Sequence, residues 1–235
     1  MSSIDELLTR LGDARKAVQR PAAEALAVEM QSRPDLRGRL ASLLDAPAPR
    51  LRWGAAYTLA LAERAPLDIV PVLLEVLGAD DGDLRWASAT IVTRIAALVP
   101  QVLDRVRKLA TSSSTLQRKM ALYCLRDAGA RDGASCAIAF AALGDGDAAV
   151  RLAAMSAATL LAPGDAAIAE RIATLIGDVD PGVSRAAAAT LGRFGVESPA
   201  IRRALEEAAT SADEALRRAA EAALSRLGAG ARRPG

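Results

Sequence analysis

The chain contains no histidine. That absence removes the commonest general base, the Ser-His and Cys-His nucleophile pairs, and nearly all mixed zinc sites. Its two cysteines, Cys124 and Cys136, lack metal-ligand spacing and fit a reducing compartment. Aromatics make up 3 %, and asparagine and β-branched residues are also sparse, which disfavours sheets. No uninterrupted apolar run reaches the roughly 18 residues of a membrane span. Asp5 and Glu6 stand where a signal peptide would need a basic start and an apolar core. Charge is balanced, with 30 Lys+Arg against 28 Asp+Glu, so no acidic partner is indicated. These absences predict a cytoplasmic, non-enzymatic chain with no metal, no cofactor and no membrane partner.

What is present is alanine and a period. Of the 235 residues 51 % are apolar, enough for a large core in one or two compact domains or in one elongated array. The stretch Asp81-Gly-Asp-Leu84-Arg85-Trp86 recurs as Asp147-Ala-Ala-Val150-Arg151 and as Asp213-Glu-Ala-Leu216-Arg217. Taking the residue before the arginine as position zero, the series Val18, Leu51, Leu84, Gln117, Val150, Val183, Leu216 repeats every 33 residues without insertion. Position four reads Ala22, Ala55, Ser88, Ala121, Ala154, Ala187, Ala220, and position eight is likewise apolar throughout. Positions zero, four, seven, eight and eleven form the stripe of an amphipathic helix. Eleven residues before position zero, Leu7, Leu40, Leu73, Val106, Ala139, Ile172 and Leu205 mark a preceding helix, opened in places by Pro34, Pro100 and Pro199. Glycine- and aspartate-rich turns join the two. One helix pair cannot bury its own apolar face, so the pairs must stack.

Three residues before position zero, Asp81, Ser114, Asp147, Asp180 and Asp213 are placed to cap the second helix. Ser114 and Gln117 read as a capping box, which explains the one polar residue at position zero. Arg15 in the cap position makes the first unit atypical.

The Asp-x-x-apolar-Arg pattern of units three, five and seven, and the alanine and leucine positions after it, resemble the HEAT-repeat family. The proline-bearing helix Ile69-Val-Pro71-Val-Leu-Leu74-Glu-Val-Leu77 is similar to that family's first helix. The short period is closest in kind to bacterial HEAT-like repeats of the phycobilisome-lyase type. The resemblance implies an all-α, right-handed α-solenoid of about seven helix–turn–helix repeats. The expected organisation is a single array over residues 1–228, with units near 2–31, 34–65, 66–97, 99–130, 132–162, 164–195 and 198–228, then a disordered tail at 229–235. It also implies a ladder between neighbouring units built by Arg52, Arg85, Arg118, Arg151 and Arg217, with unit six departing because Ser184 precedes Arg185. Related iron-dependent hydroxylases need His-Glu pairs, which this chain does not have.

Function then belongs on a surface. At 100° per residue, positions two, six and nine lie opposite the stripe centred on zero, four, seven and eleven; by resemblance that face is concave. Every tryptophan and tyrosine falls on positions two and six of units two to four: Trp53, Tyr57, Trp86 and Tyr123. Thr90, Lys119, Arg126 and Arg20 accompany them. Large rings beside cations are what binding hot spots use. The alternative is that the rings pack between units. The partner expected is a peptide or domain of another protein, with the chain monomeric or part of a hetero-assembly. Nucleic-acid binding is the second reading, through base stacking on these rings, and a lyase-like cofactor role is the third. The arginines near the C-terminus, such as Arg202 and Arg218, are interleaved with glutamates and read as a solvated face with local pairs. Cys124 falls in the core stripe.

Overall fold

A computed structural model describes residues 3–230. The described residues are helical throughout, with no strand, and none of their helices is long and apolar enough to cross a membrane. The chain forms two compact units, residues 1–109 and 110–235. The first holds α1 (Ile4–Arg10), α2 (Lys16–Glu29), α3 (Pro34–Ser42), α4 (Pro49–Ala62), α5 (Val70–Val76), α6 (Gly82–Ala96) and α7 (Val102–Leu109). The second holds α8 (Thr115–Asp127), α9 (Gly133–Ala142), α10 (Ala148–Leu161), α11 (Ala166–Thr174), α12 (Pro181–Phe194), α13 (Pro199–Ala208) and α14 (Glu214–Gly230). Odd-numbered helices are the first of each repeat and even-numbered helices the second. The fold is that of an α-solenoid.

Local chemistry explains where the helices begin. Asp81 accepts the N–H groups of Asp83 and Leu84 at the start of α6. Asp147 and Asp213 do the same for α10 and α14, and Asp180 accepts the Val183 N–H at the start of α12. Each satisfies backbone donors that a helix start leaves open. Pro34 and Pro199 open α3 and α13 as expected, whereas Pro100 lies two residues before α7. Arg15 and Ala48 offer no side-chain cap to α2 and α4. Ser114 caps α8 through the Gln117 N–H, but the returning half of the box is different: the Ser114 N–H goes to the Ser112 hydroxyl, which donates to Gln117 Oε1. At the other end, α14 continues to Gly230, into the expected tail; residues 231–235 lie outside the described residues.

The position eleven before zero is buried in every repeat, from Leu7 to Leu205. Within the first unit α4 packs against α2, and within the second α10 packs against α8 and α12 against α14. Two backbone approaches, one between α4 and the end of α1 and one between α12 and α14, are closer than any side chain allows. A Cβ at Gly54 would lie 2.5 Å from the Leu11 carbonyl oxygen, and one at Gly192 would lie 2.6 Å from Ala223 Cα. Glycine is there because backbone meets backbone.

The arginine after position zero performs a job common to both units. Arg52, Arg85, Arg118, Arg151 and Arg217 each reach back to the carbonyl six residues earlier, tying down the turn that feeds their own helix. The ladder is a second job, and for Arg118 and Arg151 its acceptor is not the capping aspartate. Arg118 makes a two-point pair with Asp145 at 2.8 and 2.9 Å, and Arg151 one with Asp178 at 2.8 and 2.7 Å. Asp145 and Asp178 stand two residues before the caps Asp147 and Asp180, whose carboxylates are already taken by helix N–H groups. Repeat six, where Ser184 displaces the arginine, still makes a rung: Arg185 pairs with Asp213. In the first unit Arg52 pairs with Glu75 instead, and Arg85 Nε is buried with no hydrogen-bond partner among the described residues.

Candidate interaction surface

The buried stripe of the second helices is turned from where the period placed it. From α2 to α12, positions four, five and eight are buried in each helix, for example Ala55, Ala56 and Leu59 in α4, and Ala187, Ala188 and Leu191 in α12. With position seven, which is also buried from α4 to α12, their centre is displaced by roughly 50° from a stripe on zero, four, seven and eleven, at 100° per residue. The exposed ridge is therefore positions minus one, six and ten, with two and nine on its flank. A helix stacked between others buries most of its circumference, and alanine serves both the core and the helix–helix flanks.

The two tryptophans, which share position two, differ in exposure. Trp53 is 4 % exposed, so it does not lie on an accessible face, whereas Trp86, at the same repeat position, is 47 % exposed. Tyr57 is half-buried and stacks on Trp53 with ring centroids 5.6 Å apart. The Trp53 ring is thus enclosed, with Tyr57 of the same helix against it. Thr90 is exposed one turn beyond Trp86 and donates its hydroxyl to the Trp86 carbonyl at 2.9 Å, which leaves the Thr90 oxygen as an acceptor. Arg20 is exposed on α2.

The remaining expected residues belong to the second unit. Lys119, Tyr123 and Arg126 are half-buried on α8. The Arg126 guanidinium lies 4.8 Å from the Tyr123 ring centre, donates to Asp127 at 2.7 Å and to Ser156 at 2.8 Å. It is held as part of a local cluster. The candidate residues thus form two pairs, Trp53 with Tyr57 and Tyr123 with Arg126, each within its own unit.

Position ten, outside the face expected from the period, carries exposed apolar residues. Val28, Leu61 and Leu160 occupy it in repeats one, two and five and are 64, 44 and 52 % exposed. The signal was an apolar residue recurring at one position outside the assumed stripe. The C-terminal arginines are paired locally, Arg202 with Glu197 and Arg218 with Glu214. Cys124 is buried, and burial pushes its thiol up to about 12, so it carries no thiolate chemistry at neutral pH.

The family model for HEAT repeats matches residues 137–225, within the second unit. Among curated proteins none matches this sequence. Solved structures resemble the chain across 96 to 97 % of its length at low identity. A mutant of Kap121p is 13 % identical with a TM-score of 0.65, the match covering 97 % of this chain and 29 % of that one. YibA of Escherichia coli is 14 % identical with a TM-score of 0.59, covering 97 % of this chain and 93 % of that one. An engineered protein is 19 % identical with a TM-score of 0.53, covering 96 % and 68 % respectively. At these identities the likeness is one of fold.

Proposed function

We propose that this HEAT-repeat protein is a non-enzymatic scaffold that holds a peptide or partner domain on the exposed ridge of its second helices. The observation that carries the reading is Trp86. It shares a repeat position with the buried Trp53 yet is half exposed. A large amphipathic ring on a rigid helix is the kind of residue that dominates binding energy. Thr90 and the half-buried Tyr57 extend this surface in the first unit. Lys119, Tyr123 and Arg126 offer a second cluster in the other unit, with Arg126 serving mainly to support Tyr123. Commitment of that guanidinium to Asp127 and Ser156 weighs against a phosphate-binding role and so against the nucleic-acid reading.

The test is affinity capture from a native extract, quantified by mass spectrometry and paired with thermal melting. Trp86→Ala should deplete specific partners while leaving melting unchanged. Trp53→Ala should destabilise by about 3–5 kcal/mol, the usual loss for a buried aromatic. Partner recovery unaltered by Trp86→Ala would sink the reading. Loss of a steeply salt-dependent DNA or RNA complex instead would transfer Trp86 to nucleic-acid binding.

A further inference from the structure

A groove at the C-terminal ends of α2 and α4 presents a backbone carbonyl whose counterpart one repeat on is met by an arginine of this same unit. In the third repeat, Arg94 at position ten donates through Nη2 to the Ala60 carbonyl, in the last turn of α4. One repeat earlier the same geometry relates position 61 to the Ala27 carbonyl in the last turn of α2, but position 61 is leucine. The Met30 N–H goes to Leu26 and the Gln31 N–H turns back to Val28. The Ala27 carbonyl thus receives no hydrogen bond among the described residues. Ala27 lines a groove of about 290 Å³ with Glu24, Val28, Gln31, Leu61 and Ala62. Val28 and Leu61 are exposed large apolar side chains there, and Glu24 is exposed, with no ion pair among the described residues.

From this juxtaposition we infer that the groove docks a basic amphipathic segment of another protein. Its arginine or lysine would sit between the Glu24 carboxylate and the Ala27 carbonyl, and an aliphatic neighbour would cover Val28 and Leu61. The charge argument has two parts. A helix C-terminus carries partial negative charge and open carbonyls, and Glu24 adds a full negative charge beside them. Apolar floor and anionic rim together select a cation carried on an aliphatic surface, as the stem and head of arginine are. The site shares the scaffold reading of the chain but uses neither Trp86 nor Tyr57.

The test measures fluorescence anisotropy of a labelled synthetic amphipathic helix bearing leucine and arginine one turn apart, beside a counterpart with glutamate for arginine. Leu61→Arg installs the arginine that the next repeat already has, so the chain should fill its own groove. This variant should bind the basic peptide about tenfold more weakly or worse, with a melting temperature equal to or above wild type. Glu24→Arg should weaken binding comparably, and Trp86→Ala should leave it unchanged. The proposal is overturned if the basic peptide fails to saturate or if the acidic counterpart binds equally well. It is also overturned if both groove variants bind like wild type, if Trp86→Ala abolishes binding, or if sedimentation shows a second copy of this chain on the face. Because partner capture reads Trp86 and the peptide reads Glu24 and Leu61, either proposal can fail alone.

Discussion

The two units use the same arginine and finish it differently. In the second, Arg118 and Arg151 each hold a carboxylate 27 residues on, and both sides of the Arg151–Asp178 pair are close to fully buried. For Arg52 and Arg85 of the first, the residues 27 on are Ala79 and Ser112, neither a carboxylate, and the arginines fall back on the exposed Glu75 or, at Arg85 Nε, on no partner among the described residues. Tying down the repeat's own turn is the part common to both. The rung is an addition, and its strength follows burial rather than distance, because water screens an exposed pair and not a buried one.

The most disruptive way to break this comparison is to remove the rung acceptors. Asp178→Ala leaves Arg151 buried without its carboxylate and should cost about 2–4 kcal/mol, while Glu75→Ala at an exposed pair should cost about 1 kcal/mol or less. Both tryptophans lie in the first unit. Their fluorescence therefore follows that unit during urea unfolding, and circular dichroism follows both. Equal losses for the two variants would mean that burial does not rank the rungs.

Acid probes the same carboxylates. Arg118 beside Asp145 holds its carboxyl below the usual range. For Asp178 burial alone would raise the value, and the Arg151 pair with the Asp180 N–H brings the net below normal. A carboxyl depressed in the folded state adds stability above its unfolded value near pH 4, and that contribution is lost as pH falls through the folded value. The ellipticity of wild type should therefore drop on acidification from roughly pH 4 downward. In an Asp145→Asn, Asp178→Asn double variant, stability at neutral pH should be lower and its acid dependence shallower. An unchanged acid slope would remove the rungs as its source.

The glycine contacts should separate the units less. Gly54→Ala places a methyl against the Leu11 carbonyl, and Gly192→Ala places one against Ala223 Cα. Each should cost about 1–3 kcal/mol by overpacking, seen by fluorescence for the first and by dichroism for the second. Near-neutral results would show that the helices slide apart easily.

How much of this was legible follows from what each residue type does. The period, the second-helix caps and the first-helix core positions were readable because aspartate and leucine each have one preferred place in a helical repeat. The direction of the buried face was not. Arg151 and Ser184 lie outside the expected stripe and look like surface residues in sequence, yet they are buried, as are Ser88 and Thr58 within it. Each is satisfied by a local carbonyl: Ser88 by Leu73, Thr58 by Gly54, Ser184 by Ile176 and Arg151 by Asp145. Polar residues that bond to nearby backbone thus disguise the inner face, and alanine marks neither face. Placing Trp53 and Trp86 together was the consequence: a shared repeat position does not fix exposure when the flanking helices differ.

The comparison can also be sharpened by building what the first unit lacks. Ala79 stands 27 residues after Arg52, as Asp145 does after Arg118. In Ala79→Asp the new carboxylate could take the Nε edge of Arg52 and also accept the Asp81 N–H, as Asp145 accepts that of Asp147. Opposing this are Asp80, Asp81 and Asp83 in the same turn, of which Lys16 already neutralises part. A half-exposed rung set against that repulsion should gain about 0.5–1 kcal/mol, read as a higher urea midpoint in tryptophan fluorescence. Ala79→Asn supplies the turn without the charge, so its gain should be smaller. If asparagine does as well as aspartate, the rung adds nothing in this unit, and the turn is what the aspartates of the second unit chiefly stabilise.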